Sequence, residues 1–223
     1  MQMRQADVRI SISARAFISG TLELPPQPQG LVLFAHGSGS SRMSPRNRFV
    51  AGVLQDAALG TLLLDLLTLD EEVVDRENAS FRFDIELLAE RLAAATRWVQ
   101  SQPSLGSIPL GYFGASTGAA AALVAAATMS TAIAAIVSRG GRPDLAGAAL
   151  AEVQAPTLLI VGGADPDVIT LNRRAARQLQ VEHELIIVPG ATHLFEEAGT
   201  LEEVASLARS WFVRHFSARH AAI

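Results

Sequence analysis

Gly114-Ala115-Ser116-Thr117-Gly118 follows a short apolar run and precedes an alanine-rich stretch. A GxSxG pentapeptide between a strand and a helix puts its serine on a sharp turn, where the flanking glycines keep neighbouring side chains off the backbone. Such a turn exposes the Ser116 hydroxyl, so nucleophilic chemistry is expected there. Because a serine hydroxyl is a weak nucleophile near neutral pH, acyl transfer also needs a base, a carboxylate to hold that base, and donors for the developing oxyanion. His193 in PGATH and Asp165 in GGADPD supply base and acid, in the chain order Ser116, Asp165, His193. The carboxylate would set the imidazole tautomer and stabilise the imidazolium. One oxyanion donor is expected from the N–H of Thr117, the other from Ser38 or Gly39 in HGSGSS.

Each assignment has a competitor. Ser116 could be a small residue kept for close packing of helix on sheet. Asp167, two residues beyond Asp165, and Asp65, which follows the apolar TLLL run, are alternative acids; a lone aspartate after a strand more commonly caps or holds a loop. His36 reads as a structural histidine orienting the HGSGSS loop, and His215 and His220 as solvated tail residues. There is no HExxH, and His183 has no histidine four residues on, so no metal is expected. Arg42, Arg46 and Arg48 follow the HGSGSS loop, and Arg139 and Arg142 follow another apolar run. Arginines at the mouth of a site suit a carboxylate or phosphate, so Arg42, Arg139 and Arg142 are candidate contacts for an anionic substrate group.

These residues need a scaffold that brings loop ends together. Val8–Ser13 and Phe17–Leu24 alternate polar and apolar residues, as an antiparallel hairpin should. Leu31–Ala35, Thr61–Leu64, Ile108–Phe113, Ile133–Val137, Thr157–Val161 and Glu184–Val188 are short apolar runs of the kind buried on both faces of a parallel sheet. Helical spacing fills Pro45–Leu59, Asp84–Gln100, Thr117–Met129, Ile169–Leu179 and Leu201–Phe216. The alternation predicts an α/β fold: a mostly parallel sheet of about eight strands with helices on both faces, in one domain over residues 1–223. In such sheets ligands bind beyond the carboxyl ends of the strands, which is where HGSGSS, GASTG, GGADPD and PGATH fall. The Gly140–Pro156 segment reads as a turn plus one small helix, with no large cap. The charged segment from Asp70 to Ser80 is a candidate flap over the site, though its charge more simply reads as a solvated loop.

Composition removes whole classes of chemistry. The chain has no cysteine, which excludes thiolate nucleophiles and disulfides. It has no lysine either, all 18 basic side chains of that pair being arginine, so Schiff bases and Walker phosphate loops are excluded. A net charge of −4 offers no basic footprint for nucleic acid. The N-terminal residues lack the unbroken apolar stretch of a signal peptide, and a cytoplasmic location is expected. Gly118–Val137 is apolar but interrupted by Thr128, Ser130 and Thr131, so it reads as a buried helix followed by a strand rather than a membrane span. GSGSSR lacks the third glycine of a dinucleotide-binding turn, and no cofactor is expected.

Through FAHGSGSS, SPRNR, GYFGASTGAAAAL, SRGGRPDLAG, APTLLIVGGAD and PGATHLFEE, the chain resembles the dienelactone hydrolase-like branch of the α/β-hydrolase superfamily over nearly its whole length. The resemblance implies a compact serine hydrolase and carries nucleophile, acid and base onto Ser116, Asp165 and His193. Dienelactone hydrolases proper use a cysteine where this chain has Ser116. Some members of the branch are joined to a phosphoribosyltransferase domain, which is not recognised within these residues. The expected activity is hydrolysis of a small ester or lactone by a monomer or small homo-oligomer. An acyltransferase or thioesterase with the same triad is the nearest alternative, and a non-catalytic ligand-binding protein on the same scaffold is the more distant one.

Overall fold

The computed structural model describes residues 3–220. Eight strands form one sheet: β1 (Arg4–Ser11), β2 (Phe17–Leu24), β3 (Leu31–Ala35), β4 (Gly60–Leu64), β5 (Leu110–Ala115), β6 (Ile133–Arg139), β7 (Thr157–Gly162) and β8 (His183–Val188). Their spatial order is β1-β2-β4-β3-β5-β6-β7-β8, with β1 and β2 antiparallel to their neighbours and the other pairings parallel. The helices are α1 (Pro45–Asp56), α2 (Leu69–Asn78), α3 (Ile85–Ser101), α4 (Thr117–Met129), α5 (Pro166–Ala176) and α6 (Thr200–His220).

Alternation along each strand divides the core in two. Leu31, Leu33 and Ala35 of β3 face a cluster built with α3, α4 and α5, while Val32 and Phe34 face one built with α1 and α6. Helix α4 is buried from Thr117 to Ala126, because its alanines let it lie close against the sheet. The apolar stretch that begins at Gly118 is therefore a core helix followed by a strand. Among the described residues no helix is long and apolar enough to cross a membrane.

Several details depart from expectation. Strand β1 begins at Arg4 and ends at Ser11, and as an edge strand it is mostly exposed. Helix α1 stops at Asp56 because Ala58 turns left-handed at φ 59°. Pro166 opens α5 earlier than Ile169, as proline suits a first helical turn. Gly140–Pro156 contains an irregular helical segment, Pro143–Glu152, broken at Gly147. His215 is not a solvated tail residue: its ring lies 4.6 Å from that of Trp211, and burial lowers its pKa. The side chain of His220 lies outside the described residues.

The largest correction concerns Asp70–Ser80, most of which is helical. Thr68 and Glu71 form a reciprocal capping box at the start of α2. At its other end Asp75 is buried and accepts from the amides of Phe81 and Arg82 at 2.8 Å and from Arg82 Nε at 2.7 Å. Burial pushes the Asp75 pKa up, but the two amides and the guanidinium outweigh it and hold the carboxyl below its ordinary range. Asp75 thus clamps the α2–α3 turn.

His36, at the end of β3, has a comparable role. Its Nε2 accepts from the Leu66 amide at 3.2 Å, so the proton sits on Nδ1, 2.9 Å from the Gly37 carbonyl. Burial lowers its pKa, and the Gly37 carbonyl and Asp65 oppose that shift without reversing it. The neutral ring therefore ties the 37–44 loop to the segment after β4, as a structural histidine should.

Two outcomes follow. Asp75→Ala should cost about 3 kcal/mol, since it leaves Arg82 and two amides without their acceptor; a urea midpoint unchanged from wild type would contradict this. His36 binds its proton less readily folded than unfolded, so its contribution is complete above an unfolded pKa of about 6.5 and fades as pH falls below it. The loss of unfolding free energy between pH 7 and pH 5 should accordingly be smaller in His36→Gln than in wild type.

Candidate active site

Ser116 lies between β5 and α4 with φ at 51°, in the left-handed region that residues with side chains seldom occupy. The turn is held in place from both sides. The Ser116 amide donates to the Arg139 carbonyl at 3.3 Å, and the Ser116 carbonyl accepts from the Arg142 amide at 3.1 Å. The two glycines are required by contact. A Cβ on Gly118 would lie 2.2 Å from the Ala35 carbonyl oxygen, and one on Gly114 would lie 2.4 Å from Ala119 Cα.

The Ser116 side chain lines a cavity of about 220 Å³ shared with His193, Ser38, Arg139 and the first residues of α1. On the loop after β8, His193 places Nδ1 2.8 Å from Asp165 Oδ2. Asp165 sits at the N-cap position of α5 but makes no capping bond with its side chain, which leaves the carboxylate for the imidazole. The alternative acids lie elsewhere. Asp167 is exposed on the first turn of α5, and Asp65 is buried against Arg42, bonding its amide at 2.8 Å and its guanidinium.

Thr117 is the first residue of α4, where N–H groups have no intrahelical acceptor. Ser38 and Gly39 are the central residues of a turn closed by a 3.2 Å bond from the Ser40 amide to the Gly37 carbonyl, with Gly39 at φ 69°. Ser38 lines the cavity that contains Ser116. Gly39 lines a larger space of about 540 Å³ on the other side of the loop, bounded also by Thr117, Leu69 and Leu88. The larger space holds neither Ser116 nor His193, so the smaller one is the candidate reaction chamber.

The three arginines expected at the mouth separate. Arg142 forms a two-pronged bond with Asp144 at 2.9 and 2.8 Å and does not line the Ser116 cavity. Arg42 is paired with Asp65. Arg139 remains, buried and on the cavity wall, where burial and the nearby Arg46 push its pKa down to about 10. Arg46, Asn47 and Leu194 also line the cavity without having been singled out as contacts. The helix-start signal Ser44-Pro45 was the available clue: it places the next two residues at an N-terminus, which the fold aims at the sheet's carboxyl edge.

Known proteins resemble this one throughout. The model of the dienelactone hydrolase family matches residues 72–217. Two curated proteins of Mycobacterium tuberculosis, strains CDC 1551 and H37Rv, are 55% identical over 96% of this chain. They carry the name of a phosphoribosyl transferase, and the chain spans 47% of their length. A dienelactone hydrolase from Anabaena variabilis superimposes with a TM-score of 0.94 at 54% identity, covering 96% of this chain and 99% of that one. Est1E from Butyrivibrio proteoclasticus, 15% identical, shares the fold at a TM-score of 0.78 over 95% of this chain and 99% of its own. With its eight-stranded sheet, its elbow turn and no large cap, the chain belongs to the dienelactone hydrolase family of α/β hydrolases.

Proposed function

We propose that the protein is a serine hydrolase that cleaves a small ester or lactone through an acyl-enzyme intermediate. The observation that carries this is the 2.8 Å contact of His193 Nδ1 with Asp165, made beside a cavity that His193 shares with Ser116. With Nδ1–H donated to the carboxylate, the lone pair of the imidazole lies on Nε2, where it can take the Ser116 proton as Oγ attacks the substrate carbonyl. Thr117 N–H and an amide of the Ser38–Gly39 turn stabilise the oxyanion. Collapse of the tetrahedral species releases the alcohol, which takes its proton from the imidazolium. Water then repeats the sequence, activated by the same base, and frees the acid.

The chamber of about 220 Å³ falls below the roughly 300–1,000 Å³ usual for drug-sized ligands, which favours a small acyl group. The phosphoribosyl transferase name belongs to proteins of which this chain matches less than half, and the chemistry proposed for this chain is that of the hydrolase portion.

A fluorophosphonate probe should label the wild type and fail on Ser116→Ala. With a short p-nitrophenyl ester, His193→Ala and Asp165→Asn should lower kcat by about 10²–10⁴-fold while leaving the fold intact by circular dichroism. A folded wild type that neither labels nor turns over would remove the hydrolase reading and bring forward that of a ligand-binding protein.

A further inference from the structure

Four consecutive residues, Arg139–Arg142, touch both the nucleophile and the base. At its two ends this strip holds Ser116 by its peptide groups: the Arg139 carbonyl accepts from the Ser116 amide at 3.3 Å, and the Arg142 amide donates to the Ser116 carbonyl at 3.1 Å. Its middle lies against the base. Gly140 has φ at 51°, and a Cβ there would fall 3.1 Å from the His193 carbonyl oxygen and 3.7 Å from His193 Cε1. Gly141 is packed as closely, since a Cβ there would overlap Ser138 Oγ. The strip is tied to β7 through the Gly140 amide, which donates to the Ile160 carbonyl at 2.8 Å.

One side chain fastens the strip to the helix that begins at the acid. Asn172 lies in α5, which starts directly after Asp165. Its Nδ2 donates to the Gly141 carbonyl at 3.0 Å and to the Val168 carbonyl, one helical turn back, at 2.8 Å. Both neighbours are carbonyl acceptors, so the amide nitrogen rather than the oxygen must face them. By packing alone the residue type is out of place. The buried positions of α5 are Val168, Asn172 and Ala175, the spacing of an apolar stripe, and Asn172 is fully buried among them. Its Oδ1 is buried without a hydrogen-bond partner among the described residues. An acceptor left unmade in the interior is unfavourable, and a leucine of similar volume would avoid that cost. What asparagine adds, and leucine cannot, is the bond to the Gly141 carbonyl.

We propose that Asn172 is a positioning residue, which sets the distance between the acid–base pair and the nucleophile by tying the strip that clasps Ser116 to the helix that begins at Asp165. The role rests on the serine hydrolase reading, since only proton transfer between Ser116 and His193 makes that distance matter. Asn172 does not line the cavity that holds Ser116, so its effect passes through the groups it ties together. Asp165 and His193 hold each other at 2.8 Å, so a displacement of α5 is passed to the imidazole while the serine stays with the strip. Proton transfer needs hydrogen-bond reach, and a misplacement of about 1 Å costs on the order of 10²-fold in rate.

Two variants remove the amide while disturbing packing in opposite ways. Asn172→Leu keeps the volume, Asn172→Ala leaves a cavity, and neither can donate to Gly141. With a fluorophosphonate probe, the labelling rate constant per site should fall about 10–100-fold in both variants, while every folded site still labels at long times. For a short p-nitrophenyl ester, kcat should fall by a similar factor with KM nearly unchanged. Asn172→Leu should melt close to the wild type. A residue that served packing alone would give a different pattern: Asn172→Leu would label at the wild-type rate, and Asn172→Ala would lose folded sites rather than speed at those that remain. That pattern overturns the positioning role, and so does loss of folding in both variants. A wild type that does not label at all removes the hydrolase reading and the role with it, whereas a labelled wild type beside an equally fast Asn172→Leu removes the role alone.

Discussion

A side chain in the left-handed backbone region costs on the order of 1–2 kcal/mol, and the strand ends around Ser116 act together to hold it there. The β3 terminus presses so closely on Gly118 that no Cβ fits. The end of β6 and the segment after it clasp the serine's own peptide groups, accepting from its amide through Arg139 and donating to its carbonyl through Arg142. That segment is anchored in turn by Asn172 of α5, whose side-chain amide donates to the Gly141 carbonyl at 3.0 Å. Helix α5 begins immediately after Asp165, so one element steadies both the elbow and the acid. Strain at one residue is tolerable because two strand ends, the segment after β6 and a helix over-determine it.

Much of this was legible in the sequence because its signals are local. The buried strands appeared as apolar runs, and GxSxG announced the elbow by requiring glycine where backbones collide. Asp165 and His193 could be placed because residues just after apolar runs fall on one edge of a parallel sheet whatever the details of packing. Helix α2 was misread although its signal was present: Thr68 and Glu71 stand at capping-box spacing ahead of the charged segment. The weight of charge in LDEEVVDREN suggested solvent, whereas its last turn is pinned by the buried Asp75. His215 was misjudged similarly, by nearness to the chain end rather than by its four-residue spacing from Trp211 on α6.

The arginines mark where sequence reading stops. Arg42 and Arg142 look as available as Arg139 in the sequence, yet their charges are answered by Asp65, 23 residues away, and Asp144, two residues away. Whether a cation is answered depends on everything that folding brings near it, and a missing partner has no sequence pattern at all. Asn47 was hidden for a related reason, and Arg46, named with the arginines of the mouth, was not among the candidate contacts. A helix start was predicted for them, but which end of which helix overlooks the nucleophile is a matter of sheet order, in which β3 lies beside β5.

The two halves of Arg139 do separate work. Its carbonyl, fixed in the sheet, receives the Ser116 amide, while its side chain leaves the strand for the cavity wall. A change of side chain at this position can therefore leave the main-chain clasp on the nucleophile in place. The elbow therefore depends on the peptide group at position 139 and not on the side chain that position carries.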